Sequence, residues 1–392
     1  MRESWRWFGP NDPVSLDDIR QTGATDIVSA LHDVPIGAVW PREAIAAHKA
    51  LIEDGSNARA PLHWTVVESI PVHDDIKCAA AGHHQYVDAW IATLENLAAE
   101  GITTICYNFM PVIDWTRTDL KYRLPSGAFA LRFDQDQFAA FDLFILKRDN
   151  AQLDYTTAEI DRAEREFQSM TAANIAELTR TIIAGLPGKM TEAYSLEDFR
   201  TALARYDGID HATLRSNLHS FLARVTPHAE KAGVRLAIHP DDPPWDMFGL
   251  PRIICTADDL DKLFADIPSP ANGMTLCVGT YGSRPDNDLP QMADRYADRI
   301  FFAHLRGVTR DPENQRSFFE ASHLDSDVDM VAIIAQLLDN EAAGQSEIFI
   351  RPDHGHLMLD DVHHPTNPGY SAIGRMKGLA EIRGVIRALA VR

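Results

Sequence analysis

The sequence predicts an α/β fold, a (β/α)8 TIM barrel, and three observations lead there. Eight short apolar, β-branched or aromatic runs recur along the 392 residues. Segments with helical periodicity separate most of them. The last four runs lead into residues of metal-ligand type: His239, Cys277, His304 and Asp353.

The runs fall at 5–8, 26–30, 64–67, 103–107, 235–238, 275–278, 300–303 and 348–350. Their near-continuous apolar character suits parallel strands covered on both faces. Between them, 41–54 reads as a helix with Pro41 in its first turn. In 83–100, Tyr86, Trp90, Leu94 and Leu97 share a helix face. In 211–232, Leu214, Leu218, Phe221, Leu222, Val225 and Ala229 do the same, and Gly233 stops the helix. At the C-terminal end, 371–390 carries a stripe of Ile373, Met376, Leu379, Ile382, Ile386 and Leu389. Gly374, Gly378 and Gly384 within it imply close packing against the barrel, since each costs about 1 kcal/mol relative to Ala in a helix.

The interval between the fourth and fifth runs is long, so an insertion of about 116–210 is expected within a single domain spanning 1–392. Its polar stretch 157–183 has Ile160, Phe167, Met170, Leu178 and Ile182 at helical spacing. Covering the barrel mouth or joining two subunits as a homodimer are the roles expected of it. An open sheet is the alternative architecture, with the same alternation of strands and helices.

Charge narrows the partners. Lys+Arg total 37 and Asp+Glu 57, so the formal net charge is −20. Such a surface repels nucleic acid and anionic membranes. An anionic small substrate would need local positive charge from a metal or arginines. The four cysteines, Cys78, Cys106, Cys255 and Cys277, are widely spaced, which fits a reducing compartment. Residues 1–13 have no apolar signal core, and the apolar stretch 138–146 is short and interrupted by Asp142. A cytoplasmic location is expected.

If the strands close, their C-terminal ends meet at one mouth. There His239, Cys277, His304 and Asp353 would offer two imidazoles, a thiolate and a carboxylate to one divalent ion. A single strand-end His or Cys is as often a buried hydrogen-bonded side chain. Four on successive strands favour a metal. The mixed donor set also leaves room for a substrate atom, as a catalytic site requires. His354 follows Asp353 directly and could move a proton. His356 reads as a residue that only orients its neighbours. Asn367-Pro368-Gly369-Tyr370 forms a turn before the last helix, leaving Tyr370 as either a packing or a reacting group. Asp114, Trp115 and Arg117 in 109–118 interleave polar and aromatic groups as a sugar site would, and Arg306 could hold a carboxylate. Gly185 to Thr191 lacks the glycine and the Ser or Thr of a phosphate loop. The adjacent pairs His83-His84 and His363-His364 point apart on regular elements.

Several longer strings then resemble the D-mannonate dehydratase family across nearly the whole chain. They are Trp7-Phe8-Gly9-Pro10, Ala30-Leu31-His32 with Pro35, Gly37 and Trp40, the run from Asn108 to Thr118, and His239-Pro240-Asp241-Asp242-Pro243-Pro244. Arg351-Pro352-Asp353-His354-Gly355 and Pro368-Gly369-Tyr370 with Gly374-Arg375 complete the set. The resemblance implies a xylose-isomerase-like barrel with one Mn²⁺ or Fe²⁺ per subunit. It implies loss of water from D-mannonate to give 2-dehydro-3-deoxy-D-gluconate in glucuronate breakdown. It implies His239, Cys277, His304 and Asp353 as ligands, His354 and Tyr370 as the proton-transfer residues, and Arg351 near the substrate. Thr280 departs from the family pattern, where a serine-type ending follows Gly279. Two rival readings are a sugar isomerase or epimerase on the same barrel and a metal-stabilised sugar-acid binder without turnover.

Overall fold

The computed structural model describes residues 1–56, 59–184, 195–345 and 347–391. Among the described residues, twelve strands run in chain order. β1 (Arg2–Arg6), β2 (Asp26–Ser29), β3 (His63–Glu68) and β4 (Thr104–Tyr107) open the barrel. β5 (Asp119–Arg123) and β6 (Phe129–Phe133) follow. β7 (Arg235–Ile238), β8 (Asn272–Cys277) and β9 (Ile300–His304) resume the barrel. β10 (Gly307–Arg310) and β11 (Phe318–Ala321) precede its last strand, β12 (Phe349–Arg351).

The closed barrel has the order β1-β12-β9-β8-β7-β4-β3-β2, with every pairing parallel. All eight expected runs are its strands. The first begins earlier than expected, because Arg2 and Glu3 pair with Phe349 and Ile350 to close the barrel although neither is apolar. Val28, Val66, Cys106, Ala237, Phe301, Phe302 and Phe349 form one buried cluster. A far larger core joins the other strand faces to the surrounding helices, with Trp5, Ile27, Trp64 and Ile105 beside Leu94, Leu222 and Ile334. Parallel strands share one polarity, so Arg6, Glu68, Tyr107, Cys277 and His304 all end their strands at the same mouth.

The helices follow their apolar stripes. His84–Ala99 buries Trp90, Leu94 and Leu97, and His211–Ala232 ends at Gly233 with φ 68°. The expected helix 157–183 is two helices, Thr157–Ser169 and Ala172–Ala184. Thr171 and Asn174 exchange capping bonds at the break, which starts a new N-terminus. In the last helix, Ala372–Leu389, a Cβ on Gly374 would lie 2.1 Å from the His356 carbonyl oxygen. One on Gly378 would lie 2.2 Å from the His323 ring. Gly384 has nothing within 4 Å, so close packing explains two of the three glycines. Met376 is 45% exposed and leaves the expected stripe.

The departure from a plain barrel is a second sheet, order β10-β11-β6-β5, antiparallel throughout. Its β5–β6 hairpin belongs to the insertion after β4, whereas β10 and β11 follow β9. The elaboration is therefore built from two chain segments. The apolar stretch 138–146 is helical and packs on helix Thr157–Ser169 and on Phe248, beyond the insertion. Its Asp142 is buried, bound by both Nε and Nη2 of Arg148 at 3.0 and 2.8 Å and by the Tyr155 hydroxyl at 3.0 Å. No described helix is long and apolar enough to cross a membrane. The glycine-rich string from Gly185 to Thr191 lies outside the described residues.

Candidate active site

The strand ends surround a cavity of about 50 Å³ at the barrel mouth. Arg6, Glu68, His239, Arg306, Arg351, Asp353, His354 and Tyr370 line it, together with Asp114 and Trp115.

Three of the four expected ligands converge. One donor atom each from His239, Cys277 and His304 lies within 4.8 Å of the others. Asp353 stands beside them, its carboxylate 3.8 Å from Cys277 Sγ and 3.8 Å from His304 Nδ1. Its offset has a local cause. β12 stops at Arg351, and Asp353 turns the chain through a left-handed φ of 54°. Its carboxylate then meets Arg351 Nη1 at 2.6 Å and Arg306 Nε at 3.2 Å. Burial would raise its pKa, but Arg351, His354 and Arg306 together hold it well below the usual range.

The donor chemistry fits a metal. His239 Nδ1 donates to the Pro240 carbonyl at 2.7 Å, which leaves Nε2 with a bare lone pair. That Nε2 faces His304 Nδ1 at 3.2 Å. Two ligand nitrogens in a tetrahedral shell at about 2.0–2.1 Å from an ion sit roughly 3.3 Å apart. Burial also lowers the His239 pKa, favouring the neutral form that a metal needs.

Next to this group, His354 Nδ1 lies 2.7 Å from Glu320 Oε2 and 3.1 Å from Arg306 Nη1. Only the carboxylate can accept its proton, so Nδ1 carries the hydrogen and Nε2 the lone pair. Nε2 is 3.2 Å from the Tyr370 hydroxyl. Burial pushes the Tyr370 pKa up to about 12, against the pull of Arg6 and Arg351, so the phenol keeps its proton. The Pro-Gly turn delivers this pair: Tyr370 N–H bonds the Asn367 carbonyl at 2.8 Å, and Gly369 has φ 81°. A Cβ on Gly369 would come within 3.1 Å of the His354 ring. His356 Nε2 bonds the Glu320 carbonyl at 2.8 Å, in keeping with an orienting role.

Arg117 differs from the expectation of substrate contact, while Arg306 is at the cavity wall. Arg117 is fully buried and does not line the cavity. It holds Asp242 at 2.7 and 3.1 Å and Glu320 at 2.8 and 3.2 Å. Arg306 reaches the cavity but binds Glu320 at 2.7 Å, Asp242 at 3.0 Å and the Thr280 hydroxyl at 3.0 Å. Burial alone would raise the Glu320 pKa. His354, Arg306 and Arg117 bring it down to about 2. Gly279 is needed for this crossing, since a Cβ there would lie 2.2 Å from Arg306 Nε. Arg351 also lines the cavity, and, like Arg306, it has an Nε without a hydrogen-bond partner.

Four residues here escaped the sequence reading. Glu68 ends β3 and pairs with Arg6 at 2.6 Å and Arg351 at 3.0 Å. Arg6 ends β1. The strand-end rule that found His304 would have found both. Asp242 lies within the string that carries the resemblance. Glu320 sits in β11, a strand that no sequence pattern announced.

Similarity to known proteins accords with this site. The family model for D-mannonate dehydratase (UxuA) matches residues 1–392. A mannonate dehydratase of Marinomonas sp. (strain MWYL1) is 52% identical over 390 residues, covering 98% of each chain. One from Saccharophagus degradans is 50% identical over 398 residues, covering 100% of this chain and 98% of its own. The crystal structure of mannonate dehydratase from Streptococcus suis serotype 2 superposes with a TM-score of 0.79 at 33% identity, covering 100% of this chain and 95% of that one. With a match over its whole length and relatives this close, the chain belongs to the D-mannonate dehydratase family.

Proposed function

We propose that the dehydration of D-mannonate, the reaction of this family, is carried in this chain by His354 as base and Tyr370 as acid. The reaction removes a weakly acidic proton from C2 and a poor leaving group, hydroxide, from C3. His354 Nε2 carries the lone pair, which accepts from the Tyr370 hydroxyl until substrate enters, and Glu320 on Nδ1 steadies the imidazolium as it takes the C2 proton. Tyr370 keeps its proton and can give it to the departing C3 oxygen. The resulting enol rearranges to the 2-keto acid. Arg351 and the Trp115 indole N–H, which has no hydrogen-bond partner, meet the substrate's carboxylate and a hydroxyl. Asp114 lines the same cavity and is read as a further hydroxyl contact.

His239, Cys277, His304 and Asp353 would hold the divalent ion, Mn²⁺ or Fe²⁺. When bound, it supplies positive charge beside the carboxylate and so favours loss of the C2 proton. A thiolate among the donors selects against Mg²⁺.

The observation that carries this reading is the hydrogen-bonded His354–Tyr370 pair beside the three converging donors. The test is incubation of the purified chain with D-mannonate and an assay for the 2-keto-3-deoxy acid. Formation of an isomeric sugar acid without loss of water would overturn it.

A further inference from the structure

The reaction cavity, about 50 Å³, is small for its substrate. Small-molecule sites usually offer ~300–1,000 Å³. A water needs ~10–15 Å³ of such space, so this one has room for only a few water-sized groups. The carboxylate, C2 and C3 must lie here, because the proton-transfer pair and two of the donors, His239 and Asp353, line it. Carbons C4 to C6 must therefore leave the cavity.

A second cavity, of about 370 Å³, adjoins it and shares Arg6 and Ser69 as walls. Its remaining lining comes mainly from residues 30–36, the loop that follows β2 at the barrel mouth, with Trp40 and Pro71 behind. This is the Ala30-Leu31-His32 to Trp40 segment, which no step of the reaction uses. We propose that this second cavity is the subsite for the C4–C6 polyol tail of the substrate, with Arg6, His32 and Asp33 as its polar contacts. The inference rests on the reaction site described above and adds the residues that set chain length.

Three features support it. Arg6 is 3% exposed and lines both cavities; its Nη1 is held by Glu68, but its Nε has no hydrogen-bond partner. A hydroxyl passing from one cavity to the other would meet that N–H. The walls combine Leu31, Val34, Pro35 and Trp40 with a few polar groups, the mixture that suits the C–H face and hydroxyls of a polyol. Finally, charge sets the direction. Asp33 repels a carboxylate and accepts from hydroxyls, while Arg351 at the other end attracts the carboxylate. This difference favours the anionic head at the Arg351 end and the neutral tail at the Asp33 end.

The loop is also held in place, and its packing reaches Tyr370 through Phe8. Trp40 N–H bonds Thr93 Oγ1 at 3.0 Å, and its carbonyl accepts from Asn96 Nδ2 at 2.9 Å. The His32 ring lies 5.7 Å from Phe8, whose ring packs edge-on to Tyr370 at 4.8 Å. A tail seated on His32 therefore presses on the wall that positions the acid.

The experiment compares D-mannonate with D-lyxonate, which has the same configuration at C2 to C4 but one carbon fewer. Asp33 is exposed, so Asp33→Ala should fold normally. Loss of a hydrogen bond to a charged group should lower kcat/KM for D-mannonate roughly tenfold or more. The shorter acid should lose less, so the preference for D-mannonate shrinks. Val34→Phe, which narrows the cavity from its apolar side, should shrink the preference again. An unchanged preference in both variants, or equal losses for both acids, overturns the subsite. Failure of the unaltered protein to dehydrate D-mannonate at all would instead remove the reaction site on which the subsite rests.

Discussion

The barrel and the antiparallel sheet above it contribute to one site in different ways. Strand ends β7, β8 and β9 bring donor atoms of His239, Cys277 and His304 together, with His239 at the cavity wall, and β12 leads to Asp353 and His354. The sheet places Glu320 from β11, with Arg117 just before β5, behind those residues. Its contribution is a buried charge network in which Arg117 and Arg306 bridge Asp242 and Glu320. In the proposed reaction, the barrel supplies the groups that meet substrate. The sheet supplies groups that hold them still, and that division can be broken experimentally.

The largest effect should come from the barrel's donors. Removing divalent metal with a chelator is expected to bring turnover of D-mannonate to background, with recovery on adding Mn²⁺ or Fe²⁺. Cys277→Ser should lower bound metal and rate together, by more than the ~10–100-fold typical of losing an outer partner. Metal analysis of that variant showing a full complement would remove Cys277 from the ligand set. His354→Asn comes next. It should lower kcat by about 10²–10⁴ and leave metal content unchanged. A near-normal rate there would transfer the base role to another residue.

The sheet should respond differently. Glu320→Gln leaves Arg117 and Arg306 short of negative charge in a buried place. Breaking one side of a buried ion network costs about 3–5 kcal/mol, so the variant should unfold at lower denaturant concentration. It should also lose kcat rather than raise KM, since Glu320 touches His354 and does not line the cavity. The pH dependence has a definite sign. Glu320 titrates at about 2 in the folded chain, against an ordinary value of 4.5. Its contribution to stability is therefore complete above about 4.5 and fades as pH falls towards 2. The stability gap between the natural chain and Glu320→Gln should close across that window. A constant gap would mean that the network is held by something other than this carboxylate.

The same contrast explains what was legible in the sequence. Barrel strands are buried on both faces, so Ile300 to Ala303 or Leu236 to Ile238 stand out as apolar runs, and the ligand-type residue at each end follows. The second sheet has no such signature. β5 is Asp-Leu-Lys-Tyr-Arg, with no fully buried residue; it pairs with β6, whose other partner, β11, lies almost two hundred residues away. Pro125-Ser126-Gly127 marks the β5–β6 turn, but nothing local announces its pairing with Phe318 and Phe319. Glu320 could be recognised only once that pairing was known. Arg117 and Arg306 were visible as positive charge near the mouth. Whether an arginine meets substrate or a buried carboxylate depends on contacts that cross the chain.

The smallest expected effect tests whether the division holds within a single side chain. Thr280 follows Cys277 by three residues, where the family pattern suggests serine. Its hydroxyl lies 3.1 Å from Cys277 Sγ, donates to Asp242 at 3.0 Å and accepts from Arg306 at 3.0 Å. It thus joins a barrel donor to the charge network. The methyl group has no part in those three contacts, so Thr280→Ser should change rate and stability little, within the ~0.5 kcal/mol of a neutral substitution. Thr280→Val keeps the shape and removes the hydroxyl. It leaves a buried Asp242 oxygen and an Arg306 N–H each short of a partner, which costs about 1–3 kcal/mol of stability. If Thr280→Val instead lowers metal content while stability stays the same, the hydroxyl serves the thiolate, and this residue belongs with the donors rather than with the network behind them.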